Sequence, residues 1–395
     1  MGQRPGRGLG VTARFATRYH GVFGFRGVQI AVHSNEAAPL RWLAEFLAPH
    51  LVAETAGSPR REVSLIIDPQ RYVRLLAKPG GRCERQIDCF TVDGEFERLA
   101  LWRDDPDGRL LHDARAQSFV WISTGHGTID IITRIDHARM RVSLMRVVRE
   151  LAMLQALHRG DLFIHGAAAG CRGRAFIIAG QKRSGKTTML LGLLRRAHVQ
   201  YLSNDRLMVD LAADPPLVRG VPTIVKVRAE SLRLLPSLTE PALGHPRRHY
   251  LTMQECASGS TLIEPPTRQP PSMSPAQFCR WLGVQPLAAA PLGALVFPRV
   301  DPTVERFVLR ELGASEAADR IHASLFSAGP RGPVSEAFGR GWDGDFPSRD
   351  DTLEACRRLA ERGAACECRI GPLAYRAPNV WDAIAASVGI RRHPR

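Results

Sequence analysis

Eight consecutive residues, Gly180-Gln181-Lys182-Arg183-Ser184-Gly185-Lys186-Thr187, have the types and spacing that grip a phosphate chain. The two glycines let the backbone curl so that successive N–H groups point inward at a β-phosphate. A helix starting at the loop would add its dipole and its unpaired amide donors. Lys186 is placed to reach the β- and γ-phosphates, and the Thr187 hydroxyl to hold Mg²⁺. Thr188 closes the nucleotide-binding set. The pattern also occurs by chance, so its flanks decide. Ahead of it, Ala175-Phe176-Ile177-Ile178-Ala179 is short and apolar, as a buried strand should be; behind it, Thr188 to Arg196 reads as a helix with a basic end. Strand, loop and helix in that order predict a nucleoside triphosphate site, with ATP and Mg²⁺ as cofactors.

Two more positions belong to this chemistry. The strand-like run before the loop strand carries His165-Gly166, and the run after the loop helix ends at Ser203-Asn204-Asp205. Ligands of open α/β sheets sit beyond the carboxyl ends of the strands, where the loop and Asp205 would meet. An acidic group there can hold Mg²⁺ directly or through water, or accept a hydroxyl proton from a phosphoryl acceptor. The catalytic candidates are therefore Asp205, His165 and Lys186, and the metal candidates Thr187 and Asp205. Plainer readings exist for some of them. A histidine on an apolar strand is more often a structural group, and Asp205 also fits a turn that caps Arg206–Asp210. Arg247 and Arg248 read most simply as a solvated pair. Lys186 and Thr187 have no comparable structural explanation.

These residues need elements to position them. Residues 1–14 are Gly/Arg-rich and read as a disordered basic tail. From about 15 to 137 short strands alternate with turn signals, among them Val28–Val32, Val63–Ile67 and Ser118–Ile122, and Ala38 to Val52 has helical apolar spacing. This part reads as a mixed α+β domain suited to acceptor recognition. Thr124-Gly125-His126-Gly127 within it reads as a turn. A helix over Arg139–Leu157 opens the second domain, 138–395, whose core lies at 160–230 and whose segment 240–275 reads as irregular and mobile. Further on, Leu292–Pro298 reads as a buried strand, and the chain ends as a helix (Asp351–Arg362), a strand (Ala364–Ile370) and a helix (Pro378–Val388).

Composition narrows the partners. The formal charge is +15, but nearly every basic residue is Arg, and the arginines are scattered. That pattern points away from nucleic acid and fits a surface that attracts an acidic peptide or a phosphorylated ligand. Two of the four lysines, Lys182 and Lys186, fall inside the loop. No apolar run approaches the ~20 residues that span a bilayer. The basic start, Met1 to Arg7, lacks an apolar stretch behind it and so does not read as a secretory signal. A cytoplasmic location is expected. Eight cysteines without a CxxC pair read as reduced thiols.

The order His165-Gly166, short hairpin, Gly180–Thr187 loop, His198 to Asp205 and Arg219-Gly220 resembles the C-terminal kinase domain of HPr kinase/phosphorylase and its relatives, which include kinases of bacterial peptide-modification clusters such as lasso-peptide kinases. The resemblance covers about residues 160–230. It implies an α/β fold with a phosphate-loop core like that of ATP-dependent phosphoenolpyruvate carboxykinases, and an ATP-dependent kinase acting on a serine of a peptide or small protein. It also implies a homo-oligomer. Two positions depart from the family. Asn204 stands where the family has the first of two adjacent aspartates, and Leu217-Val218 leave no glutamate ahead of Arg219-Gly220. Asn204 can orient a hydroxyl or a metal-bound water but cannot take a proton at neutral pH. This counts against a phosphorylase activity. Kinase activity, which depends mainly on positioning and charge neutralisation, survives such a change. A nucleotide-binding regulator without turnover and a small-molecule kinase are the alternatives.

Overall fold

The computed structural model describes residues 17–25, 27–53, 61–77, 85–92, 95–124, 127–196, 198–227, 272–326, 336–339, 348–371, 374 and 378–389. It is a mixed α/β protein with two compact units. The first unit comprises residues 1–45, 52–152 and 334–343; the second comprises 46–51, 153–333 and 344–395. Arg247 and Arg248 lie outside the described residues, as do Gly125 and His126 and most of the segment 240–275.

The first unit begins with β1 (Tyr19–Phe25), β2 (Val28–Ser34), α1 (Ala37–Leu47), β3 (Val52–Ala53), β4 (Arg61–Ile67) and α2 (Pro69–Leu76). It continues with β5 (Gln86–Val92), β6 (Glu95–Asp105), β7 (Gly108–Asp113), β8 (Ser118–Ser123) and β9 (Thr128–Thr133). The sheet order is β3-β1-β2-β4-β9-β8-β7-β6-β5. β2, β4 and β9 are parallel and central, and antiparallel strands flank them. Apolar spacing suggested a first helix reaching Val52, but α1 stops at Leu47 and Val52 opens β3. The cause is Pro49, which has no N–H to donate and pushes Ala48 away from the helical region. Asp68 caps α2 by accepting the Arg71 N–H at 2.8 Å.

Helix α3 (Ala138–His158) matches the predicted span within a residue at each end. The expected domain boundary is its start, whereas the contact division runs through its middle, between Ala152 and Met153.

The second unit holds β10 (Leu162–Cys171), β11 (Arg174–Ala179), α4 (Lys186–Leu194), β12 (Val199–Ser203), β13 (Arg206–Asp210), β14 (Leu217–Gly220), β15 (Val225–Lys226) and β16 (Ser272–Met273). Then come α5 (Pro275–Leu282), β17 (Ala289–Val300), β18 (Phe307–Glu311) and α6 (Ala314–His322). α7 (Glu336–Gly339) belongs to the first unit, and α8 (Arg349–Glu361), β19 (Ala364–Ile370) and α9 (Pro378–Gly389) complete the second. The sheet runs β11-β10-β13-β14-β17-β19-β18, with β12 also on β10 and β11 also parallel to β17. β11 explains why its sequence is apolar throughout. Phe176 and Ile178 point into a core with α4 and α9, while Ala175, Ile177 and Ala179 point into another with α6 and α8. Strands covered on both faces lose the alternation of a half-exposed strand. α5 starts where an irregular segment was expected to end: Ser274 accepts the Gln277 N–H, and the Gln277 side chain accepts the Ser274 N–H, a reciprocal capping box. Among the described residues no helix is long and apolar enough to cross a membrane.

Candidate functional site

The eight-residue motif forms the turn between β11 and α4. Gly185 is the N-cap of α4 at φ 103°, a left-handed conformation in which a Cβ would be strained. No side chain caps this helix end, so its first amides stay directed at the loop interior. Gly180 is likewise left-handed at φ 142°. Gln181, Lys182 and Arg183 are exposed on the rim, Ser184, Gly185, Lys186 and Thr187 are half-buried, and Thr188 is buried. The buried residues of α4, Met189 to Leu194, anchor the loop in the core.

Lys186 folds back over the loop. Its Nζ donates to the carbonyls of Gly180 at 2.7 Å and Gln181 at 2.9 Å. Burial pushes its pKa down to about 8, and the Asp205 charge opposes the shift. The Ser184 hydroxyl is buried inside the loop without a hydrogen-bond partner. A loop with an orphaned hydroxyl, uncapped amides and an ammonium group occupied only by its own carbonyls fits an incoming anion.

His165 and Asp205 come together as the sequence suggested. β10 and β13 pair with His165 opposite Arg206, and the Gly166 N–H donates to the Asp205 carbonyl at 3.0 Å. His165 Nδ1 then lies 3.4 Å from Asp205 Oδ1, an approach that falls short of a hydrogen bond. Burial lowers the His165 pKa. The neighbouring Asp205 opposes this, whereas the charges of Lys186, Arg206 and Lys182 add to the lowering. The imidazole is thus held toward its neutral, proton-accepting form. Both side chains are about one-third exposed, at 34% and 33%, so solvent reaches them.

Four further residues surround this site, and of the two that flank Asp205 and His165 only one carried a signal in the sequence. Arg206 is 2% exposed; its Nε lies 3.5 Å from Asp205 Oδ2, and its guanidinium sits 4.9 Å over the Phe326 ring. Phe326 also meets the His165 ring edge-on, with centroids 5.3 Å apart. It is held there because the His165 N–H donates to the Ser324 carbonyl at 2.7 Å and Ile164 bridges to Leu325. Tyr201 and Thr223 both donate to Asn204 Oδ1, at 2.8 and 3.3 Å. Arg206 carried a sequence signal, a charge at an inward position of a strand. Phe326 carried none, because more than a hundred residues separate it from Arg206. Arg219 and Gly220 lie on β14, and Gly220 pairs with Leu207.

Among the described residues no group of three or more His, Cys, Asp or Glu side chains is disposed to hold a metal ion. A Mg²⁺ bound by one hydroxyl and one carboxylate, with phosphate and water oxygens completing it, needs no such cluster. Thr187 and Asp205, the metal candidates from the sequence, are a hydroxyl and a carboxylate of that kind. Compared with known proteins, the sequence matches no family model and no curated protein.

Proposed function

We propose that the chain is a Mg²⁺-dependent ATP phosphotransferase of the HPr-kinase-like class, transferring phosphate to a serine hydroxyl of a peptide or small protein. The observation that carries the reading is the motif's turn between β11 and α4, with His165 of β10 beside Asp205 in the bend between β12 and β13. In this reading Lys186 leaves the loop carbonyls for the β- and γ-phosphates, and the amides of α4 hold the β-phosphate. Thr187 and Asp205 would hold Mg²⁺, which neutralises phosphate charge when bound. The acceptor hydroxyl would lie between Asp205 and neutral His165, either of which can take its proton. The first unit is then the candidate acceptor-recognition module, and the enzyme acts in the cytoplasm as a homo-oligomer.

A nucleotide-binding regulator without turnover is the second reading. It is favoured by Asn204, which leaves one carboxylate where the family has two, and whose oxygen is taken by two hydroxyls.

The test is transfer from γ-labelled ATP with Mg²⁺ to peptides encoded beside the gene, read by mass spectrometry. Wild type should label a peptide serine, Lys186→Ala should abolish the label, and Asp205→Asn should remove Mg²⁺-dependent transfer while keeping some nucleotide binding. Undiminished transfer in Lys186→Ala would sink the site assignment. Nucleotide binding with neither transfer nor hydrolysis would establish the regulator.

A further inference from the structure

Asn204 occupies the bend between β12 and β13, one residue from Asp205, whose charge reaches Lys186. Its side-chain oxygen accepts from the hydroxyls of Tyr201 at 2.8 Å and Thr223 at 3.3 Å. Both partners are buried, at 1% and 4% exposure. The arrangement fixes which way the amide faces. The Asn204 backbone hydrogen-bonds to the phenol oxygen of Tyr201, leaving the phenol proton for Asn204 Oδ1. Burial also keeps that phenol protonated. The oxygen of the carboxamide is thus committed inward, and what remains for a ligand is the –NH₂ group, a donor only.

A donor cannot ligate a cation, so Asn204 is excluded from the metal set and Asp205 is left as its carboxylate. A neutral donor beside a phosphate loop takes an anionic oxygen. In the nucleotide reading above the loop amides would serve the β-phosphate, and Asn204 stands next to Asp205, whose charge reaches Lys186, the residue expected at the terminal phosphates. We propose that Asn204 is a fixed hydrogen-bond donor to an oxygen of the terminal phosphoryl group, giving the site a preference for nucleoside triphosphate over diphosphate. This deepens the nucleotide reading above and rests on it. It holds for a kinase and for a regulator alike.

The experiment is calorimetric titration of the full chain with Mg·AMP-PNP, a triphosphate whose terminal group is not transferred, and with Mg·ADP. Wild type should favour the triphosphate at least tenfold. Asn204→Asp keeps an acceptor for both hydroxyls and so should keep the fold, but it replaces the donor with a negative charge. Its preference should fall at least tenfold, the size expected for losing a hydrogen bond to a charged group. Tyr201→Phe keeps the ring, frees the amide to turn, and should lower the preference about threefold. Undiminished preference in Asn204→Asp, or none in wild type, overturns the proposal. If Asn204→Asp fails to fold, Tyr201→Phe and Thr223→Val decide, and unchanged preference in both overturns it. Binding that Lys186→Ala leaves untouched would instead refute the nucleotide site itself.

Discussion

Acidification should destabilise the second unit through His50, and the size of the effect follows from its surroundings. The His50 ring is 3% exposed, and its nitrogens make no hydrogen bond of good geometry, the backbone of Ala288 offering only a poor one. Tyr201 lies 6.4 Å away between ring centroids, and a Cβ on Gly220 would stand 2.5 Å from His50 Cε1. Burial pushes the His50 pKa from 6.5 to about 4, opposed only in part by the backbone of Ala288. The folded protein therefore resists a proton that the unfolded chain accepts below 6.5. Stability is lost as pH falls from 6.5 toward 4 and is unaffected above neutrality. The shift corresponds to roughly 3 kcal/mol in total, of which about 2 to 3 kcal/mol is gone by pH 4.5. Two carboxyls act in the opposite direction. Asp130 and Asp161 are pushed up to about 6 by burial, so each gains stability as pH falls below 6. The assay must therefore be differential: urea unfolding of wild type and of His50→Leu, a similar volume without the titrating ring, at pH 7, 5.5 and 4.5. The stability difference between the two proteins should move in favour of His50→Leu by about 2 to 3 kcal/mol between pH 7 and 4.5. A difference that stays constant with pH would refute the reasoning, because it would mean that the ring is charged, or solvated, in the folded state.

Two further predictions concern packing near the loop. A Cβ on Gly192 of α4 would stand 2.3 Å from Cε2 of the fully buried Trp381 on α9, so Gly192→Ala should overpack this contact by about 1–3 kcal/mol. Calorimetry should show a melting temperature lowered by several degrees, and a value equal to wild type would show that α9 yields freely. Arg206→Lys keeps the charge beside Asp205 but not the flat guanidinium over Phe326, and should cost about 1 kcal/mol. Unchanged urea unfolding would mean that the stack carries no weight.

The local part of the site was legible because its chemistry is written in adjacent residues. Gly180, Gly185, Lys186 and Thr187 sit at the spacings of a curled loop before a helix, and the flanking runs, which identified β11 and α4 by their apolar patterns, decided between that and a chance match. Asp205 could be proposed because it follows the end of a recognisable strand, and His165 because it lies on the strand before the loop strand, which runs on to Cys171 rather than ending at His165-Gly166. Their meeting at 3.4 Å, however, depends on β10 and β13 pairing in one register, with His165 opposite Arg206. A shift of one residue would turn His165 to the other face. Pro49 shows a local signal outweighed by periodicity: the apolar spacing ran past it, but the helix could not.

By itself the sequence determined the loop at 180–187, its strand and its helix, since these rest on backbone conformation and on residues within one turn of each other. Only the tertiary structure decided what surrounds Asp205. Burying the Arg206 guanidinium draws on the Asp205 carboxylate just before β13 and the Phe326 ring four residues after α6, and turning the Asn204 amide requires the hydroxyls of Tyr201 and Thr223. Asp205 and Tyr201 reach their partners from one and three residues away, but the Phe326 and Thr223 contacts are long-range satisfactions of buried polar groups, which no spacing along the chain encodes.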